Sequence, residues 1–217
     1  MHAFISYSTV NKKWSSPVKS ALLSVGFQGF LAHEDLQLSE EWKASIIDEL
    51  NKADVFVAIL SNEFKQSEYC SQEVGFIVSR KKVLIIPLSI DGTIPYGFIS
   101  HLQGVRVSNE DKISQVIPAV LLRKRPRIAI PAWIKEVEAA VSFRHAEAIV
   151  EPLVAHFSKF TDEEAVAFTK AALGNRQVWD ASLCQTEYLP AFKKSNWKHL
   201  PKSLRADFSK KVKLPED

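Results

Sequence analysis

Two runs of this chain leave little choice of architecture: VFVAIL at Val55–Leu60 and VLIIPLSI at residues 83–90, with a helical pattern at 66–80 between them. A strand that is apolar at nearly every position needs cover on both faces, and a sheet covered on both faces by helices is a parallel one. The rest of the first half repeats the alternation. Residues 3–7 (AFISY) read as a short strand, and Trp14, Val18, Ala21, Leu22 and Val25 then recur at helical spacing up to Gly26. Ser16 before Pro17 suits a helix start there, because proline lacks the N–H that a first turn leaves unpaired anyway. Residues 27–32 form a second strand, followed by the polar loop HEDLQLSEE and a helix marked by Trp42, Ile46, Ile47 and Leu50, with Glu40 and Glu41 in its first turn. A weaker strand at 104–107 precedes a helix carrying Ile113, Val116, Val120 and Leu121. Four or five strands alternating with helices predict an α/β fold, a doubly wound parallel sheet ending near Arg125.

Beyond that point the pattern changes. RKRPRIAIPAW, residues 123–133, carries charge and two prolines and reads as a linker over 126–132. Residues 133–217 show no strand alternation and predict a small all-α C-terminal module. Trp133, Ile134, Val137 and Val141 share one helical face, as do Ile149, Leu153 and Phe157. TDEE at residues 161–164 is a capping box opening a helix through Ala165, Phe168, Ala172 and Leu173, closed by Gly174 and Asn175. The domains expected are therefore 1–125, a linker at 126–132, and 133–217.

Charge and composition exclude several classes. Lysine and arginine total 28 against 25 acids, a net +3, so no strong overall field argues for nucleic acid. The basic lean from Pro190 onward reads as a solvated face. No apolar run approaches the roughly 20 residues of a membrane-spanning helix, and MHAFISYS has no basic leader before a cleavage site, which points to the cytosol. Cys70 and Cys184 stand far apart with no CxxC, and the histidines form no HExxH, so neither a disulfide framework nor a metal site is expected. The chain has no GxGxxG, GxxxxGK[ST] or GxSxG, which excludes a Rossmann dinucleotide grip, a P-loop and a nucleophile elbow.

In an open parallel sheet ligands bind beyond the carboxyl ends of the strands where strand order reverses, between strands one and three in the flavodoxin-like order. That rule selects Ser6, Tyr7 and Ser8, the loop holding His33 and Asp35, and Ser61 and Asn62. The helix after strand three adds Ser67, Cys70 and Glu73 along one face, with Tyr69 one turn before Glu73 and with Val74, Phe76 and Ile77 beside it. A carboxylate among apolar neighbours needs a partner or a task. With no metal ligands, triad or phosphate loop, one task open to it is to stabilise a cationic, oxocarbenium-like sugar transition state. Cys70, with no histidine near it in sequence, reads as a small buried packing residue, and Trp42 serves equally as core or as ligand contact.

AFISYS, LAHEDLQLSEEW, ADVFVAILSNEF and SEYCSQEVG, in that order, resemble a Toll/interleukin-1 receptor (TIR) domain of the bacterial kind over about residues 1–125. The resemblance implies the flavodoxin-like fold and, since many such domains cleave the nicotinamide–ribose bond of NAD+, an NAD+ nucleosidase or ADP-ribosyl cyclase. NAD+ is then the substrate and no cofactor is implied. The family's Trp-Cys-x-x-Glu signature falls on Tyr69, Cys70 and Glu73, with tyrosine in place of tryptophan, and makes Glu73 catalytic. Tyr7 and Ser8 match the strand end lining the nucleotide cleft, His33 and Asp35 the loop after strand two, Trp42 an aromatic near the substrate, and Tyr69 a ring against the base. The resemblance also implies self-association through TIR domains, a role in antiphage defence, and a separate effector that reads the nucleotide product. The alternative is a non-catalytic adaptor that binds other TIR domains.

Overall fold

The computed structural model describes residues 1–31 and 42–212, the side chains of residues 42 and 43 excepted. His33 and Asp35 therefore lie outside the described residues, and Trp42 is described only as the first residue of its helix. The chain divides into two compact units, Met1–Lys124 and Arg125–Asp217.

The first unit is a parallel sheet in the order β2-β1-β3-β4-β5. Its strands are β1 (His2–Ser6), β2 (Gln28–Leu31), β3 (Val55–Leu60), β4 (Leu84–Ser89) and β5 (Val105–Arg106). The helices are α1 (Ser15–Ser24), α2 (Trp42–Lys52), α3 (Asn62–Gln66), α4 (Glu68–Val78) and α5 (Ile113–Lys124). The expected doubly wound sheet is thus observed, with β3 at its centre and every residue of β3 buried. Ala3 of β1 aligns with Val55 and Ser6 with Ala58, while Leu60 aligns with Ser89 of β4.

Because side chains alternate along a strand, each strand sends one set of residues to each helical layer. Phe4, Phe56, Ala58 and Leu60 go to one side, where they pack with Ile46 and Leu50 of α2 and with Cys70, Val74 and Ile77 of α4. Phe4 stacks on Phe56 at 5.7 Å between ring centroids and leans on Phe30 at 5.4 Å. Ile5 goes to the other side, under α1. There Gly29 allows close approach: a Cβ on it would stand 3.0 Å from Cγ of Lys19 and 3.1 Å from Cδ1 of Ile5, so those side chains would have to give way. Gly26, with φ +82°, makes the turn between α1 and β2 in a left-handed conformation that other residues rarely adopt.

Some local structure differs from the pattern reading. A 3-10 turn over Thr9–Trp14 precedes α1, so the regular helix begins at Ser15 and keeps Pro17 in its first turn. The helix expected at 66–80 is α4, opened by Ser67, which accepts from the Cys70 N–H at 3.3 Å; a further short helix, α3, precedes it and is capped by Ser61 accepting from the Phe64 N–H at 3.0 Å.

In the second unit, α6 (Pro126–Glu138), α7 (Phe143–Val154), α8 (Asp162–Gly174), α9 (Arg176–Trp179), α10 (Leu189–Asn196) and α11 (Lys202–Lys211) are the helices, with a π-helical turn at Cys184–Tyr188 leading into α10. The linker expected at 126–132 is a helix instead. Pro126 sits in the first turn of α6, where its missing N–H costs nothing, and Pro131 lies on the exposed side while Ala129, Ile130, Trp133, Ile134 and Val137 form the buried face. Val141 does not continue that face: α6 stops at Glu138 and Val141 is 80% exposed. Asn175 secures this end by donating to the carbonyls of Glu138 at 3.0 Å and Ala140 at 2.9 Å, while its own carbonyl accepts from the Gln177 N–H. The capping box at Thr161 and Glu164 forms in both directions. Phe157, Phe168 and Phe192 gather into an aromatic core, with centroids 4.6 Å apart for Phe168 and Phe192. Among the described residues no helix is long and apolar enough to cross a membrane.

Replacing Phe56 by alanine empties the centre of the α2/α4 side and is expected to destabilise the first unit by about 3–5 kcal/mol. Hydrogen exchange read on peptides of the two units separately checks this. Protection should fall in the first unit and hold in the second, and unchanged protection in β1 and β3 would contradict the central role given to this ring.

Candidate functional site

The side of the sheet that receives Phe4 also receives Ser6, two residues on, at the carboxyl end of β1. Across from it stands α4. Its inward face carries Cys70, Glu73, Val74 and Ile77, so a glutamate occupies a position that the helical period assigns to the core. Glu73 is 6% exposed, and the Ser6 hydroxyl donates a buried hydrogen bond to its Oε2. This contact joins residues 67 positions apart in the chain.

Burial dominates the electrostatics. It pushes the Glu73 carboxyl up from 4.5 to about 7, with the Ser6 hydrogen bond pulling the other way. Cys70 is buried at 1% exposure and its thiol is raised to about 11, chiefly by desolvation and further by the Glu73 charge, against hydrogen bonds from Ser67 and Ser6. A thiol so placed is a packing group and a poor nucleophile.

Glu73 lies on the wall of a cavity of about 240 Å³, lined also by Ile46, Ile47 and Leu50 of α2 and by Tyr69, Gln72 and Phe76 of α4. On α4 the lining residues fall at intervals of three, one and three, a single helical stripe facing α2. Tyr69 is 47% exposed, so its ring forms part of the mouth. One desolvated acid in an apolar, ring-edged hollow can meet a cationic or polyhydroxylated ligand with little competing solvent. A larger groove, about 1110 Å³, runs between α6 and α8 of the second unit. Its charged lining (Arg127, Lys135, Lys159 and Lys170 with Glu138, Glu163 and Glu164) holds no buried titratable group, so the smaller cavity is the chemical candidate.

Of the residues expected at the site, the structure brings Glu73 and Tyr69 together at one cavity. Tyr7 and Ser8 are buried, Tyr7 at 1%, and neither lines it. Tyr7 stands just beyond the end of β1 and packs in the interior. The pattern reading selected Ser6 as part of the site lip at the end of strand one but not as the partner of Glu73, which depends on a long-range approach, although its parity with Phe4 would have placed it on the α4 side. Gln72 and Phe76 were missed as lining residues, and their helical spacing from Tyr69 and Glu73 was the available signal. Among the described residues no cluster of three or more histidine, cysteine, aspartate or glutamate side chains could hold a metal ion.

Fold and site together define a doubly wound α/β domain with a buried acid at the wall of a cavity between α2 and α4. The model of the TIR domain family matches residues 3–117, and the chain belongs to that family. Among solved structures, it is similar to the TIR domain of the Toll-related receptor TRR-2 from the lower metazoan Hydra magnipapillata, at 16% identity over 56% of this chain and 95% of that one, with a TM-score of 0.47. No curated protein matches the chain.

The raised carboxyl makes a stability prediction. A group protonated up to about 7 in the folded state but only to 4.5 when unfolded holds more protons in the fold between those values, so stability falls as pH rises through that window. The full loss corresponds to about 3 kcal/mol. Glu73→Gln carries no such charge. Its thermal midpoint should match wild type at about pH 4, exceed it by a margin that grows up to about pH 7, and hold that margin above. A gap that stays constant with pH would show that Glu73 is solvated.

Proposed function

We propose that the first unit cleaves the nicotinamide–ribose bond of NAD+, with Glu73 as the catalytic carboxylate. The observation that carries this reading is the burial of Glu73 at the wall of a cavity. An adaptor surface has no use for a desolvated acid that lowers the stability of the fold, whereas a reaction that develops positive charge on a sugar does.

The chemistry follows from that charge. The bond between ribose C1′ and the pyridinium nitrogen breaks, its electron pair passes to the nitrogen, and neutral nicotinamide leaves. Positive charge is left on the ribose, shared between C1′ and the ring oxygen. Ionised Glu73 lowers the energy of that state because it is itself nearly buried among largely apolar side chains, and it accepts hydrogen bonds from the ribose hydroxyls. The ring of Tyr69, at the cavity mouth, supplies a face against the pyridinium. Water adding at C1′ and releasing a proton gives ADP-ribose; a nitrogen or hydroxyl of the same molecule adding there gives a cyclic isomer. The substrate's own positive charge favours the ionised form of Glu73 on binding.

Family membership supports two wider elements of the proposal: association between copies of the domain, and a cytosolic signalling role in bacterial antiphage defence, in which a separate effector reads the nucleotide product. Incubating the purified full chain at high concentration with NAD+, and resolving the products by chromatography, tests the enzyme and names the acceptor. Glu73→Ala and Glu73→Gln should each lower nicotinamide release at least about a hundredfold. Since the carboxylate is the working form, kcat/KM should rise with pH through about 7. Turnover retained in both variants would refute the assignment. An inert wild-type chain that binds other TIR domains would establish the adaptor reading instead.

A further inference from the structure

We infer that Ser6 is the positioning residue of this site: its hydroxyl holds Oε2 of Glu73, so that the carboxylate meets its ligand in one fixed orientation. The inference rests on the proposed function and assigns it a second residue.

Three observations carry it. The hydrogen bond is buried and joins the end of β1 to the middle of α4, two elements fixed independently by the sheet and by helix packing. Ser6 is itself 1% exposed, so water does not compete for the contact. Among the described residues, the surroundings offer Glu73 little other restraint. From its own helix the Tyr69 phenol and the Cys70 thiol are the titratable neighbours, from β1 there is Ser6, and α2 presents Ile46, Ile47 and Leu50 to the cavity. Among the described residues, burial and the Ser6 hydroxyl are the influences acting on its ionisation. A carboxylate free to turn about its last torsion would spread its charge over a range of directions, and catalysis by a fixed charge falls steeply with such misplacement.

Ser6 therefore acts through Glu73, and its removal has a signature that a packing role lacks. In Ser6→Ala, kcat for nicotinamide release at neutral pH should fall about tenfold to a hundredfold, the range expected for losing a hydrogen bond to a charged group, with KM within about twofold of wild type. The acid limb of the pH profile should move to higher pH, because the lost donor favoured the ionised form. Ser6→Thr, which keeps the hydroxyl, should restore both readouts, and Ser6→Cys, a weaker donor of similar size, should fall between. A Ser6→Ala enzyme with wild-type kcat and pH profile would overturn the inference while Glu73 variants remain dead. So would a rise in KM alone, or failure of threonine to restore a folded variant.

A measurement without turnover separates this from the proposed function. In the full chain labelled with 13C at glutamate carboxyls, the Glu73 signal is identified by its loss in Glu73→Gln. Its titration midpoint should rise in Ser6→Ala, and also, by less, in Ser6→Cys should the alanine variant not fold. An unchanged midpoint would overturn the role of Ser6 whether or not the wild type cleaves NAD+. A raised midpoint in a chain that does not turn over would uphold the contact and sink only the NAD+ reading.

Discussion

The hydrogen bond from Ser6 to Glu73 ties together nearly everything that gives the first unit its chemistry. It exists because β1 and α4 are each held from elsewhere. β1 is paired on both sides, with β2 and β3, and α4 is anchored through Cys70, Val74 and Ile77 in the same layer as Phe4 and Phe56. Only against so rigid a frame can a carboxylate be kept nearly dry and held by a hydroxyl from another element.

The arrangement has an energetic cost that the rest of the unit offsets. A desolvated acid opposes folding at neutral pH, and the wholly buried central strand with its aromatic stack supplies apolar burial against that opposition. Strained or destabilising groups persist where the surrounding structure over-determines them, and such places are commonly sites of function. Here the destabilising group is also the one at the cavity wall, so the thermodynamic and chemical arguments meet at one residue.

The second unit shows a different economy. Its helices end on specific side chains: Thr161 with Glu164 opens α8, Asn175 closes α8 and at the same time binds the last carbonyls of α6, and Ser142 caps α7. Its core is built on Phe157, Phe168 and Phe192, with the Trp133 indole donating to the Ile149 carbonyl at 2.7 Å. No buried acid comparable to Glu73 occurs among its described residues.

The sequence alone determined the sheet, because a six-residue apolar strand such as VFVAIL has one stable environment, and it determined Glu73 as an oddity, because the period of α4 places that acid among Cys70, Val74 and Ile77. The capping box was legible for the same reason: each is a local pattern whose physics acts within a few residues. It did not reveal that residues 126–132 are helical, since proline on an exposed helical face is tolerated in a way that composition does not show. Nor did it separate Tyr7 from the cavity or join Ser6 to Glu73. Those outcomes were decided by tertiary structure, because strand parity and the approach of α4 to the sheet fix which polar groups meet across 67 positions of chain, and no local pattern spans that distance.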